Sequence, residues 1–335
     1  MAIGEQSRAR LFEAKLAGMV RSMGAEAGEA HAIRGGAGMV GPDGSCWVLV
    51  QDDPERGVGM TLAWSVRHGS PRPACIVDVD PQGRPQSAAA GVAARKGAAL
   101  RSPVSVRWVE GSRVHEAVAA PAPAGGPFAP SAAAAVWLDG AAAAGLDVSV
   151  LGDGSVSFEV LGLEVGRATA EGVLEVGSGR HDRDATDEVW AGAPGQEALV
   201  RAAESVRIER RRDRIPTLAS TLQRERWLRR ALVADPSPLG LAALESLPEA
   251  APAADLRRPR PAGAVTADRS TLVVCSTGAD LDLIPTAADL WATHAPGAER
   301  IMLVVPPGDD HPVTRELATL LPVAAEVLVV DPPWA

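Results

Sequence analysis

Glu164 and Glu175 occupy equivalent places in two near-copies of one short string, GLEVG and VLEVG. Both strings predict β-strands, and a four-residue turn over 168–171 would set the two carboxylates directly opposite each other on one face. Like charges placed in this way destabilise a hairpin, and a bound cation, a nearby arginine or a raised pKa relieves the repulsion. The pair is therefore a candidate catalytic and metal site, with Mg²⁺ or Mn²⁺ as the cofactor. The alternative is an exposed hairpin whose glutamates are solvated or paired with Arg167 and Arg180.

The string GRHDRDATDE follows this hairpin and offers a second ligand pair in His181 and Asp182. Adjacent strand residues point to opposite faces, so both side chains reach one ion only from a loop. The alternative is a helix that begins here. Asp182 or Asp184 would then cap it, and Asp187 and Glu188 would suit the positive end of its dipole.

Residues 201–230 form a basic segment with ten arginines and four acidic residues, a net charge of +6 in a chain of net charge −9. Guanidinium groups match the geometry of phosphates, so this segment predicts a nucleic-acid contact. Trp227 is its one aromatic residue, which does not favour base stacking. The alternative is a helix whose arginines pair with acids of the same chain. The candidate phosphate ligands are Arg207, Arg210, Arg211, Arg212 and Arg214.

Strand-borne acids flanked by glycines resemble, over roughly 60 residues, the core of the PD-(D/E)xK nucleases, in which carboxylates hold Mg²⁺ beside the scissile phosphate. The lysine of that motif is absent, because Val176 and Gly177 follow Glu175. Arg180 would have to substitute for it at a different spacing. The resemblance implies a nuclease-like, metal-dependent middle domain whose catalytic set is intact or degenerate.

Acidic residues also follow two predicted strands of the first block, at Asp52 and Asp53 and at Asp78 and Asp80. Ligands of open α/β sheets bind at the carboxyl ends of strands, so an acidic Mg²⁺ pocket of response-regulator type is one interpretation. Dinucleotide binding is excluded, because Leu62 stands where a third glycine is needed and acids beside the turn repel a pyrophosphate.

A second loop of this kind follows the strand TLVVC in the last block. Ser276, Gly278 and Asp280 fit the SxGxD part of the SGGxDS loop of PP-loop ATP pyrophosphatases. Thr277 replaces one glycine of that loop, and Leu281 replaces its final serine. The three matching residues are a candidate small-ligand loop, and the alternative is an ordinary turn or helix cap.

Short apolar runs alternate with helical patterns at both ends of the chain, which predicts parallel sheets built from βαβ units. The fold class is therefore α/β, with two small βαβαβ (Rossmann-like half) domains flanking an α+β middle domain that contains the β-hairpin. Two Pro-rich stretches are predicted linkers. The predicted boundaries are 1–116, linker 117–130, 131–234, linker 235–268 and 269–335.

Composition narrows the class of protein further. A net charge of −9 argues against a protein that coats nucleic acid, and the three cysteines, far apart in apolar runs, predict buried thiols. Prolines interrupt the longest uncharged stretch, so no membrane span is predicted. The strings GLEVGR, LEVGSGRHDRDA, RERWLR and VVCSTGADLDLIPTAADL resemble a conserved actinobacterial family to which no activity is assigned. This resemblance covers most of the chain from about residue 45 and implies a bacterial cytoplasmic protein.

Two functions follow from these patterns. The first is a nucleic-acid-associated protein with a nuclease-like middle domain that contacts nucleic acid through residues 201–230. The alternative is a non-enzymatic interaction or regulatory protein, in which the α/β domains bind a protein partner or a small nucleotide.

Overall fold

A computed structural model describes residues 2–51, 53–78, 86–178, 195–212, 217–249 and 256–335. The chain divides into two compact units. The first contains Met1–Ala122, Leu281–Ala292 and His311–Glu326, and the second contains Pro123–Asp280, Thr293–Asp310 and Val327–Ala335. Strands and helices are interspersed along the chain in three sheets, so the α/β fold class is confirmed.

The helices are α1 (Ala2–Ser22), α2 (Gly57–Arg67), α3 (Gln86–Ala98), α4 (Ala132–Ala135), α5 (Leu138–Ala143), α6 (Gly195–Glu209), α7 (Leu218–Thr221), α8 (Arg224–Ala234), α9 (Leu283–His294) and α10 (Pro312–Ala318). The strands of the N-terminal sheet are β1 (Ala30–Ile33), β2 (Gly36–Val40), β3 (Ser45–Val50), β4 (Arg72–Val77), β5 (Ser105–Glu110) and β6 (Arg113–Glu116). Those of the middle sheet are β7 (Asp147–Val150), β8 (Val156–Val160), β9 (Leu163–Ala168) and β10 (Leu174–Val176). Those of the C-terminal sheet are β11 (Glu245–Ser246), β12 (Ala262–Val265), β13 (Thr271–Cys275), β14 (Arg300–Val305) and β15 (Ala324–Val329).

The N-terminal sheet has a parallel centre, as predicted. Strands β3, β4 and β5 lie side by side in parallel, with Val48 opposite Cys75. The hairpin β1–β2 and strand β6 extend this sheet by antiparallel pairing and were not predicted. Strand β2 was not predicted because it contains glycines, which are typical of turns. The glycine at position 38 is required by packing, since a Cβ there would lie 2.6 Å from the Trp64 ring.

Ion pairs tie the helices of the first unit to their surroundings. Lys15 on α1 donates to the carboxylate of Asp78, which follows β4. On α3, Lys96 donates to an oxygen of Asp282 at 2.7 Å, and Arg95 forms two hydrogen bonds to Asp289 on α9, at 2.8 and 3.0 Å. These carboxylates are largely buried, so the paired cations offset the cost of removing them from water.

The middle sheet is antiparallel throughout, in the order β10-β9-β8-β7. One face is apolar and packs against α6. The residues of this core include Val156, Phe158, Val160, Leu163, Val165, Leu199, Ala203 and Val206. Because side chains alternate along a strand, Ser157 and Glu159 of β8 lie on the other face. Both are buried, so this second face is polar and shielded from water.

Helix α8 presents different faces to two sheets of the second unit. Leu228 and Leu232, one turn apart, join the apolar core of the C-terminal sheet. Arg226 and Arg230, also one turn apart, pair with acids of the middle sheet, Glu159 and Asp147 respectively. Residues two apart on a helix point about 200° from each other, which explains why the arginine and leucine pairs face opposite ways.

The C-terminal sheet has the order β11-β12-β13-β14-β15. Strands β13 and β14 are parallel, as the apolar runs TLVVC and IMLVV predict, and β12 is antiparallel to β13. Strands β11 and β12 lie within the predicted linker 235–268, where prolines conceal them from a pattern search. No helix among the described residues is long and apolar enough to cross a membrane.

Candidate functional site

The predicted register of the Glu164–Glu175 hairpin is wrong. Glu175 lies opposite Arg167, and Glu164 lies opposite Glu159 on the other neighbouring strand. The loop is longer than the predicted four residues, since Ala168 pairs with Leu174 and the Thr169 amide donates to the Val173 carbonyl. Gly172 inside this loop has a φ of 87°, a conformation that favours glycine.

A β-bulge brings Glu164 and Arg167 to the same face of the sheet. Ser157 pairs with Arg167 and Glu159 with Glu164, so β9 has one extra residue between two positions of β8. The Nη2 atom of Arg167 donates to both oxygens of Glu164, at 2.9 and 2.8 Å, and the Ser157 hydroxyl donates to Oε2 at 2.8 Å. Glu164 is only 4% exposed. A guanidinium therefore compensates this carboxylate, as the predicted alternative of pairing with Arg167 implies, although the pair is buried and not exposed.

The same polar face contains a second ion-pair cluster that the sequence did not reveal. Arg226 of α8 donates to Glu159 at 2.8 Å and lies 2.9 Å from Glu249, which also contacts Arg229 at 3.4 Å. Burial raises the pKa of the Glu159 carboxyl against the lowering effect of Arg226. Burial also disfavours the charged form of Arg226, but Glu249 and Glu159 outweigh it and raise the pKa of Arg226. The one sequence signal was a glutamate at an inward position of an apolar strand.

The five candidate phosphate ligands do not act as one group. Arg207 donates to the carbonyl oxygens of Ala144 at 2.6 Å and Gly145 at 3.1 Å. Arg210 is 3% exposed and donates to three backbone carbonyls, and its guanidinium lies 4.8 Å from the Trp227 ring. Burial lowers the pKa of Arg210 to about 9. This side chain holds loops together and is inaccessible to a phosphate.

The other three arginines have different outcomes. Arg211 and Arg212 are exposed, and Arg212 donates through Nε to the Pro333 carbonyl at 2.9 Å. Arg214 lies outside the described residues. So do Asp52, Asp80, Arg180 and the cluster from His181 to Glu188, including Asp182, Asp184 and Asp187.

In the first unit the predicted acidic site is partly neutralised. Asp78 is 4% exposed and accepts hydrogen bonds from Lys15 and from the Gln51 amide. Asp53 lies 4.0 Å from Arg56. No group of three or more metal-ligating side chains is present in the part of the chain that the structure describes.

The three residues of the predicted small-ligand loop after β13 do not share one environment: Ser276 and Asp280 are buried and Gly278 is exposed. Ser276 is fully buried, and its hydroxyl lies 3.4 Å from a carboxylate oxygen of Asp280, which is also buried. Gly278 is exposed, has a φ of 68° and donates its amide to Oδ2 of Asp309 at 2.8 Å. In a phosphate-binding loop this backbone amide would donate to the ligand, whereas here it donates to a carboxylate of the same chain.

A cavity of about 760 Å³ opens beside Gly278. Its walls come from the loops that follow β13, β14 and β15, together with α7 and the start of α8. The lining residues are Thr221, Arg224, Pro259, Thr277, Gly278, Pro306, Pro307, Asp309, Asp331, Pro332, Trp334 and Ala335. Parallel strands deliver their carboxyl ends to one edge of a sheet, where ligands of open α/β folds bind.

Among the described residues that line this cavity, the cation is Arg224. Its guanidinium lies 5.1 Å from the centre of the Trp334 ring, and its Nε donates to the Ser220 carbonyl at 3.0 Å. Within the described ranges, no acidic side chain forms an ion pair with Arg224 and no hydrogen bond uses its two Nη atoms. Asp331 is exposed and likewise has no partner in the described chain. The cavity wall therefore contains a cation, Arg224, and an anion, Asp331, that do not form an ion pair with each other.

The first turn of α8 connects the cavity to the polar face of the middle sheet. Arg224 lines the cavity, and the buried Glu225 accepts a hydrogen bond from the Thr277 hydroxyl in the cavity wall. Arg226 pairs with the middle sheet, and the Trp227 ring lies 5.4 Å from that of Trp334. The sequence signal for this site was the proline-rich turns after apolar strands, VVPPGDD and VVDPPWA.

No family model, curated protein or solved structure matches this chain. The resemblances to the actinobacterial family, to PD-(D/E)xK nucleases and to PP-loop enzymes stay predictions. The function therefore has to be argued from the geometry of the chain itself.

Proposed function

We propose that this chain is a cytoplasmic small-molecule-binding protein, whose ligand occupies the cavity at the carboxyl ends of β13, β14 and β15. The observation that carries the proposal is the cavity itself, about 760 Å³ in volume. That volume lies in the range of cavities that bind small molecules and cofactors. The proposal develops the alternative of a regulatory protein that binds its ligand through an α/β domain.

Charge supports the same choice of site. Arg224, Asp309 and Asp331 line the cavity, and the two Nη atoms of Arg224 have no hydrogen-bond partner in the described residues. On the polar face of the middle sheet, by contrast, Glu164 and Glu159 each have an arginine partner at hydrogen-bonding distance. A ligand gains most where polar groups of the protein still lack partners. The nuclease-like middle domain stays a prediction with no observation in its favour.

Saturation-transfer NMR with a panel of soluble small molecules tests this proposal. The panel comprises amino acids, dipeptides, dicarboxylic acids, sugar phosphates and nucleotides. We expect at least one class to receive saturation from the protein, and Thr221→Phe to abolish the effect because Thr221 lines the cavity. Leu218→Phe is the matched control, since Leu218 lies on the same short helix, is 59% exposed and does not line the cavity. A wild-type protein that gives no response to the whole panel contradicts the proposal.

A further inference from the structure

We infer that the ligand of this cavity is a nucleoside 5′-phosphate, with its phosphate at Arg224 and its ribose hydroxyls at Asp309 and Asp331. This inference rests on the proposed function and names the chemical class of the ligand. Its three supports are the charge distribution across the cavity, the hydrogen-bonding state of each charged group, and the size and surface of the walls.

The anionic end of the ligand is assigned to Arg224. Its two Nη atoms form no hydrogen bond within the described parts of the chain, and a guanidinium fork binds two oxygens of a phosphate at once. Helix α8 begins at Arg224 and no side chain caps this end, but Glu225 in the first turn offsets the helix dipole, so the guanidinium itself is the anion-binding group. The loop at Gly278 is not the phosphate site, because its amide already donates to Asp309.

Two carboxylates in the cavity wall accept hydrogen bonds. Asp309 is held in place through Oδ2 by the Gly278 amide, which leaves its Oδ1 as an acceptor. Asp331 is a second carboxylate of the cavity wall. Carboxylates repel a phosphate and accept hydrogen bonds from hydroxyl or amino groups. The ligand therefore has one anionic end and a separate group of donors, as a ribose phosphate does.

The walls and the volume select a nucleotide over a smaller zwitterion. Pro306, Pro307 and Pro332 provide apolar surface, and Trp334 contributes an aromatic ring. Flat apolar walls suit a planar ring, which adds contact area without a demand for hydrogen bonds. A free amino acid has its ammonium and carboxylate groups on one carbon and would leave most of the 760 Å³ to water. A nucleotide fills the cavity and separates its phosphate from its hydroxyls by the length of a sugar.

The test is isothermal titration calorimetry of the full chain with AMP, GMP, UMP, their nucleosides adenosine, guanosine and uridine, the 2′,3′-dideoxy forms of the nucleotides and inorganic phosphate, in buffer containing EDTA. We expect at least one nucleotide to bind. Its nucleoside should bind about tenfold more weakly than the nucleotide, or weaker still, because the hydrogen bonds between the phosphate and the guanidinium are lost. Removal of the ribose hydroxyls should weaken binding several-fold. Binding should persist in EDTA, because the phosphate contacts a guanidinium and needs no metal ion.

Variants locate the two ends of the nucleotide. Arg224→Gln should abolish the difference between nucleotide and nucleoside, whereas Asp309→Asn should weaken both by a similar factor. Arg201→Gln is the control, since Arg201 is an exposed residue of α6 paired with Glu197 and lies outside the cavity lining. Circular dichroism melts of each variant confirm that it is folded.

The outcomes separate the two proposals. If adenosine binds as tightly as AMP, if binding requires Mg²⁺, or if Arg224→Gln leaves the nucleotide preference unchanged, the nucleotide inference is wrong. If nucleotides fail but another panel member binds in a way that Thr221→Phe abolishes, the small-molecule-binding function stands and only the ligand class falls. If nothing in the panel binds the wild-type chain, both proposals fall.

Discussion

The polar face of the middle sheet and the cavity beside the C-terminal sheet are both rich in charged residues, and one turn of α8 reaches both. On the sheet face, Arg226 pairs with Glu159 and Glu249, and Arg167 pairs with Glu164. In the cavity, Arg224 forms no ion pair with any acid of the described ranges. A cluster of charged residues in a sequence therefore indicates either a stabilising network or a binding site, and the ion-pair partners of each residue decide between the two.

The largest expected effect contrasts two arginines that are two residues apart. Arg226→Met should lower the free energy of unfolding by about 3–5 kcal/mol, because it leaves the buried carboxylate of Glu159 without its ion-pair partner. Arg224→Met should lower it by less than about 1 kcal/mol, since Arg224 has no ion pair in the described chain to lose. Urea unfolding followed by circular dichroism measures both. Equal losses for the two variants would erase the distinction between the regions.

The second prediction concerns Glu164. The hairpin pattern implied that Glu164→Gln stabilises a metal-free protein by relieving repulsion, whereas the observed contacts with Arg167 and Ser157 reverse that expectation. We expect a loss of about 1–3 kcal/mol, since a charged hydrogen-bonded partner is removed from a buried site. Glu175→Gln, on the half-buried edge strand, is the comparison and should cost less.

Divalent ions sharpen this second test. Millimolar Mg²⁺ or Mn²⁺ should leave the melting temperature of the wild type unchanged, because Arg167 already compensates the Glu164 carboxylate. An ion that bound to the native state alone would raise the melting temperature. A stabilised Glu164→Gln variant together with a metal-dependent melting temperature would restore the nuclease-like interpretation of the middle domain.

The sequence predicted the parts of the fold that local pattern controls. Alternating apolar runs correctly identified the parallel neighbours β3 and β4, and likewise β13 and β14. Hairpin β1–β2 was missed because Gly36 and Gly38 make room for close neighbours: a Cβ on Gly36 would lie 1.8 Å from the Leu49 carbonyl oxygen. No pattern in a single sequence reveals that a glycine is required by a distant contact.

The candidate site was predicted less well, for a related reason. Gly278 was identified and does line the cavity, but Ser276 and Asp280 of the same loop are buried. Arg224 was seen only as part of a basic segment. Its importance depends on loops after β14 and β15, which follow it by about 80 residues or more in the chain, and on the lack of an ion-pair partner for Arg224 among the described residues.

The third prediction uses the raised pKa of Glu159. An unfolded glutamate has a pKa of about 4.3, so a raised folded value means that the native state binds the proton more tightly. The free energy of unfolding should therefore fall as pH rises from about 4.3 through the folded pKa. Glu159→Gln should remove this decline, because the variant has no carboxyl group to titrate at this position. Denaturant unfolding followed from about pH 4 to about pH 8 measures this decline.

The lowered pKa of Glu249 has the opposite sign and supplies the control. Arg226 and Arg229 outweigh the effect of burial there, so Glu249 contributes stability above its unfolded pKa and loses it as pH falls through the lower folded value. Glu249→Gln should therefore alter the acid limb alone. An identical pH profile for both variants would show that the two carboxylates are not distinguished by their surroundings.

The smallest effect is expected at the solvent-exposed end of α8. Asp147→Asn removes the partner of Arg230, and these two side chains are 42% and 40% exposed. Exposed pairs contribute about 0–1 kcal/mol and are screened by salt. Urea unfolding at low and at about 1 M salt should show this difference only at low salt. A salt-insensitive loss would place the pair with the buried cluster instead.

The chain has only two lysines, Lys15 and Lys96, and both are engaged in ion pairs of the first unit. An amine held by a carboxylate is acylated slowly, because only a neutral, accessible amine attacks the acyl carbon of the reagent. The Lys96 side chain is 12% exposed and that of Lys15 is 35% exposed, so Lys96 should be modified more slowly than Lys15. The labelling rates of the two lysines therefore report two separate opening events: the rate at Lys15 reports the release of α1, and the rate at Lys96 reports the release of α3.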